Sequence, residues 1–149
     1  GLRDPEIAKQ IGTSLDNITG SAPQPSGPAA DAFASKFKSE YDTDPGIFNA
    51  HSYDASAVLV LANAAGGEGT GKSVRDNMKK IANPEGTEVT AENLAEGVRM
   101  ALNGDDIKYE GASSAVDFDD NGDMKAVTYA VWKFTEEGTE TVDTIPFEA

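Results

Sequence analysis

The apolar residues of this sequence change their period once. Up to Asn103 they recur three and four residues apart, and beyond Gly111 they alternate or run together in short stretches. Helices are therefore expected over most of the first part and strands in the last. With 149 residues the chain is long enough to bury one core and too short for two independent ones, so a single folding unit is the expectation.

Local signals divide the helical part. Asp4-Pro5 reads as an N-cap followed by proline in the first turn; Ile7 and Ile11 share a face, and Gly12 can close the helix. Leu15 to Ala22 is a strand candidate, stopped by Pro23-Gln24-Pro25-Ser26-Gly27-Pro28, where the prolines remove donors and restrict the backbone. From Pro28 the residues Phe33, Phe37 and Tyr41 form an aromatic stripe at helical spacing, broken at Asp42 to Gly46. Ala57-Val58-Leu59-Val60-Leu61-Ala62 is apolar on every face; the length and alanine content of Asn49 to Ala65 favour a buried helix over a buried strand. Ser73 is expected to cap a helix carrying Val74, Met78 and Ile81 up to Asn83-Pro84. Thr90 is expected to cap another, with Leu94, Val98, Ala101 and Leu102 on one face and Asn103-Gly104 at its end.

In the extended part, Ala115 to Phe118 and Met124 to Phe134 flank Asp120-Asn121-Gly122-Asp123, which predicts a hairpin. The second limb places Ala126, Ala130, Trp132 and Phe134 on one face and Val127, Tyr129 and Val131 on the other, so it belongs in the interior of a sheet. Thr139 to Phe147 reads as a last strand frayed by Pro146.

Charge narrows the partners. Asp plus Glu number 26 against 12 Lys plus Arg, a formal net charge of -14, which repels nucleic-acid phosphates and anionic lipid headgroups alike. Such a surface is also what a high-salt environment favours, so a halophilic source is an expectation to test. Without cysteine there are no disulfides, thiolate metal sites or thiol nucleophiles. No apolar run approaches the roughly 20 residues of a membrane span. Asn17-Ile18-Thr19 is a glycosylation sequon.

Three motifs suggest chemistry. Gly66-Gly67-Glu68-Gly69-Thr70-Gly71-Lys72-Ser73 has the spacing of a phosphate loop, in which Lys72 would reach the phosphates and Ser73 a magnesium ion. That function needs the loop to leave a buried strand directly, whereas Asn63-Ala64-Ala65 intervenes here. Asp117, Asp119, Asn121 and Gly122 match the first half of a calcium loop, but Thr128 stands where the bidentate Glu is required. His51, the single histidine, excludes a two-histidine zinc site; Ser52 and Asp54 beside it on one helix turn do not make a nucleophile relay. A small phosphate-loop nucleotide-binding protein and a calcium-stabilised interaction module thus stay open beside a reading in which these residues only shape bends.

The order of segments resembles the C-terminal part of periplasmic binding proteins of the leucine/isoleucine/valine type. The resemblance rests on Gly1-Leu2 through Ile18-Thr19-Gly20 and Pro23, on Phe33 to Tyr41 with Pro45, on Phe48-Asn49-Ala50-His51-Ser52-Tyr53-Asp54-Ala55, and on Val116-Asp117-Phe118-Asp119-Asp120-Asn121-Gly122-Asp123 followed by Tyr129 and Trp132. It implies an α/β chain, a fragment of the type I fold with about four or five helices, a C-terminal β-hairpin and short edge strands. It also implies that residues 1–25 end the distal-lobe segment, 26–130 form the proximal-lobe segment and 131–149 return toward the distal lobe. Hinge crossings would lie near Pro23 to Pro25 and near Ala130 to Val131. The implied role is non-catalytic and needs no cofactor: the ligand-binding component of an ABC importer, outside the cell or in the periplasm, holding a branched-chain amino acid or related solute and meeting permease subunits. Phe48 matches a family position lining the ligand cleft, with packing as a core aromatic at the helix start as the favoured alternative. Tyr53 is the second candidate, with core packing or hinge hydrogen bonding as its favoured role. An incomplete sheet would further leave an edge open to self-association.

Overall fold

The computed structural model describes residues 3–11, 15, 18–82 and 85–148. The chain divides into two compact units, one formed by the described residues up to Gln24 with Val127–Glu148, the other by Pro25–Ala126.

In the first unit, helix α1 (Pro5–Ile11) starts as its sequence predicts: Asp4 Oδ1 accepts the Glu6 backbone N–H at 2.8 Å. Gly12 lies outside the described residues, as does Asn17 of the sequon. The sheet has the order β1-β4-β5, with β1 at Thr19–Pro23, β4 at Ala126–Thr135 and β5 at Gly138–Glu148. The strand expected from Leu15 thus begins only at Thr19. β1 runs antiparallel to β4, with Gly20 opposite Trp132 and Ala22 opposite Ala130. Glycine is required at position 20, where a Cβ would stand 2.5 Å from the Trp132 indole. The central position of β4 agrees with its apolar faces. β5 lies at an edge, its residues exposed from Glu140 onward, and it continues through Pro146 because an edge strand can give up a donor on its solvent side. The predicted fraying at Pro146 is therefore corrected. α1 packs on β5, and Arg3 Nη2 donates to Thr141 Oγ1 at 2.6 Å.

In the second unit, α2 (Pro28–Tyr41) opens with proline in its first turn and ends at Asp42, whose left-handed φ of 54° is of the kind short polar side chains tolerate. α3 (Asn49–Gly66) settles the apolar run as helix and is closed by Gly67 at φ 69°. α4 (Gly71–Ala82) begins before Ser73, which corrects the predicted cap. Thr70 does that work: its Oγ1 accepts the Ser73 N–H at 3.2 Å and its carbonyl accepts the Val74 N–H at 3.0 Å. Ser73 is buried inside the helix.

Two short strands escaped the sequence reading. β2 (Thr87–Val89) and β3 (Ile107–Tyr109) pair in parallel, with α5 (Leu94–Asn103) connecting them. Thr90 does not cap α5 directly; it builds the preceding turn, donating its N–H to Asn93 Oδ1 at 2.7 Å while its Oγ1 accepts from Glu92 N–H at 3.2 Å. Gly104 closes α5 as predicted. The core gathers Val58, Leu61, Ile81, Val89, Ile107 and Tyr109 between α3, α4, α5 and the parallel pair.

The predicted hairpin over Ala115 to Phe134 is not formed as such. Its tip survives as an isolated bridge from Phe118 to Met124, and β4 spends its ladder on β1 and β5 instead. A strand apolar on both faces gains more by lying between two partners than by pairing with four residues across a polar turn.

Candidate functional site

The aromatic stripe of α2 meets α3 within the second unit. Ring centroids of Phe33 and Phe37 lie 5.9 Å apart, those of Phe37 and Tyr41 4.7 Å apart, and Tyr53 joins Phe33 at 5.2 Å, all in tilted contact. Beside this row an open-sided cavity of about 360 Å³ is lined by Phe33, Lys36, Phe37, Glu40, Tyr41, Asn49, Tyr53 and Ala91. Half of its lining residues are aromatic, with one cation and one carboxylate one helical turn apart on α2. Such a surface can hold an amphiphilic group.

The two sequence candidates part company here. Tyr53 lines the cavity, its hydroxyl 3.4 Å from the Ala91 carbonyl, and its phenol is pushed above the usual range by burial and then by Asp54. Phe48 does not line it. It stands at the N-terminal boundary of α3, 49% exposed, with His51 edge-on at 6.0 Å. The His51 Nδ1 atom is buried and, among the described residues, has no hydrogen-bond partner. No relay joins it to Asp54, whose two oxygens are engaged elsewhere.

Asp54 is the polar centre that sequence reasoning missed. The residue is 5% exposed. Oδ1 accepts from the Tyr109 hydroxyl and the Ala112 N–H, each at 2.7 Å, and Oδ2 accepts from the Ser113 N–H at 2.7 Å and the Ser113 hydroxyl at 2.5 Å. Four donors, none of them a cation, replace the water that a buried carboxylate forfeits. The network fastens α3 to the end of β3 and the chain after it, and burial together with Asp54 drives the Tyr109 phenol well above its ordinary value. The signal was Asp54 itself, a carboxylate one turn before an all-apolar run.

The phosphate-loop pattern takes the wrong architecture for its function. Residues 67–70 connect helix α3 to helix α4, and no strand precedes them. The Lys72 ammonium is 2.8 Å from Asp76 Oδ2; that hydrogen bond raises the lysine's pKa, and Lys72 and Arg75 together hold Asp76 below the usual carboxylate range. The aspartate tip closes on itself likewise. Asp119 Oδ1 accepts the N–H groups of Asn121 and Asp123 at 2.8 and 2.9 Å, bonds that lower its pKa, while Asp117 pairs with Lys125 at 3.1 Å. Among the described residues no cluster of three or more His, Asp or Glu side chains is placed to hold a metal ion, and no helix is long and apolar enough to cross a membrane.

No family model matches the sequence, and no curated protein matches it. Among solved structures, the crystal structure of a leucine-binding protein from Thermotoga maritima is similar, with a TM-score of 0.64 and 21% sequence identity over 95% of this chain and 34% of that chain. The likeness establishes the fold: an α/β fragment of the periplasmic-binding-protein architecture, as the segment order suggested. The chain spans about a third of the length of the leucine-binding protein it matches.

Proposed function

We propose that this chain is the C-terminal part of the solute-binding component of an ABC importer. It is non-catalytic and acts outside the cell or in the periplasm. The observation that carries the reading is the likeness to a leucine-binding protein over 95% of the chain. The two compact units, divided at Gln24–Pro25 and Ala126–Val127, support an assignment to two lobes that close on a solute and present the closed form to permease subunits. The ligand class is a branched-chain amino acid or a related small polar solute. Phe48, half-exposed at the start of α3, contributes an aromatic wall to the cleft, and Tyr53 supports α3 from within the lobe. The remainder of the protein, outside these 149 residues, carries the polar anchors for the ligand's ammonium and carboxylate. A net charge of -14 fits a halophilic source, and a melting temperature that fails to rise between low and molar salt argues against that origin.

The test is a thermal-shift panel of amino acids on the longer protein and its Phe48→Ala variant. The reading expects stabilisation by at least one aliphatic amino acid, with binding weakened about tenfold or more by the substitution. No shift with any amino acid would remove the solute-binding assignment.

A further inference from the structure

The cavity beside the aromatic row lies wholly within the second unit and has no part in the proposed clamp, whose cleft Phe48 lines. Its walls are ordered in columns. On α2, Phe33, Phe37 and Tyr41 recur at i, i+4 and i+8, and Lys36 and Glu40 form a second column beside them. Tyr53 of α3 continues the apolar side against Phe33, its hydroxyl held by the Ala91 carbonyl. A strip of rings thus runs along a strip that carries one positive and one negative charge.

The two charges are not spent on each other. Among the described residues Lys36 and Glu40 form no ion pair or side-chain hydrogen bond, although they stand one turn apart in a chain with 26 carboxylates. Lys38, two residues on, does bond a carboxylate, that of Asp44 at 2.9 Å. Lysine four residues before glutamate is the less favourable order along a helix, which leaves both groups available to a third charge. Asn49 is placed likewise: its Oδ1 accepts the Gly46 N–H at 2.6 Å, and its NH2 group is left as a donor. We propose that this cavity is a binding site, separate from the clamp's cleft, for a free aromatic α-amino acid. Its ammonium meets Glu40, its carboxylate meets Lys36, and its ring lies on Phe37, Tyr41 and Tyr53.

The choice of ligand follows from the division of the wall. An α-amino acid carries both charges at one end and its side chain at the other, which matches a charged column beside an apolar one. A simple cation leaves Lys36 unmatched, and a simple anion leaves Glu40 unmatched. Phosphate-bearing ligands are further repelled by a net charge of -14. An aromatic side chain gains from ring-to-ring contact beyond the area it buries, which an aliphatic one does not. The volume of about 360 Å³ is near the lower end for small-molecule sites, room for one such molecule and too little for a dinucleotide. Every residue involved lies in one unit of these 149 residues, so the site does not depend on the solute-clamp reading.

The test is a titration of the isotope-labelled 149-residue chain with L-phenylalanine, followed by backbone amide NMR shifts. Expected is saturable binding with a Kd on the order of 1 mM, the moving resonances lying on α2 from Lys36 to Tyr41 and around Tyr53. Lys36→Ala and Glu40→Ala are changes at exposed positions that leave the fold intact, and each weakens binding about fivefold. Lys38→Ala, which removes only the pair with Asp44, leaves binding unchanged. Phenethylamine, which lacks the carboxylate, binds the parent about fivefold more weakly and does not distinguish it from Lys36→Ala. Leucine, which lacks the ring, gives no saturable shift below about 20 mM. Absence of saturation by L-phenylalanine below about 20 mM overturns the proposal. Binding indifferent to both substitutions overturns it as well, as do shifts that gather around Phe48. Shifts that grow with protein concentration before any amino acid is added overturn it in favour of a second copy of the chain.

Discussion

Removing the Asp54 carboxylate should cost this chain more than any surface change. Asp54→Ala deletes an acceptor that serves the Tyr109 hydroxyl, the Ala112 N–H and both donors of Ser113. Each buried donor left without a partner costs about 1–3 kcal/mol, although water entering the space recovers part of that sum. A loss of about 4 kcal/mol is expected, at the upper end for a single substitution. Against a domain stability of about 5–15 kcal/mol this is a large fraction. Asp54→Asn keeps the shape but turns an NH2 group toward donors, so about 2–3 kcal/mol is expected for it; Tyr109→Phe, which removes one donor and leaves the others paired, should cost about 1 kcal/mol. The assay is urea unfolding followed by helical circular dichroism, which reports α2 to α5 around the site. With a slope of about 2 kcal/mol/M, Asp54→Ala moves the midpoint down by about 2 M. A loss below about 1 kcal/mol, or an Asn variant equal to the parent, would refute the claim that these four bonds hold α3 to the end of β3 and the chain after it.

Three further outcomes follow from the same geometry. Tyr109 is fully buried and keeps its proton far above the ordinary value of 10.0, whereas the unfolded chain releases it there. The stability it contributes is complete below that value and falls as pH rises beyond it, by up to about 1.4 kcal/mol per pH unit. Tyr109→Phe should flatten that alkaline loss in urea midpoints taken at about pH 9 and 11. Gly97→Ala drives a Cβ into both methyl groups of buried Val89, so despite the better helix propensity of alanine, a net loss of about 1–3 kcal/mol is expected on thermal unfolding. Lys72→Ala should leave melting unchanged with or without magnesium-ATP; an ATP-dependent rise in melting temperature abolished by this substitution would restore the nucleotide reading.

Much of the architecture is written locally in the chain. Pro28, Gly67 and Gly104 sit where helix ends require them, and the two apolar faces of residues 126–134 foretell a strand between two others. β2 and β3 are three residues each, Thr-Glu-Val and Ile-Lys-Tyr, too short to carry a period, and only their pairing across α5 makes them strands. The cap of α4 was misread because Ser73 and Thr70 are both capping residue types; the burial of Ser73 beneath Gly66 decides between them. Of the candidate site, the aromatic stripe and Tyr53 were legible as helical spacing. The Asp54 network was not, because its donors lie 55 to 59 residues away in sequence.

If these residues are one part of a solute clamp, as proposed, they do not form the clamp's site alone. Calorimetric titration of leucine into the 149-residue chain and into the longer protein tests it most directly. Saturable heat in the longer protein and none in the 149-residue chain is the predicted result; micromolar binding by the 149-residue chain itself would contradict it.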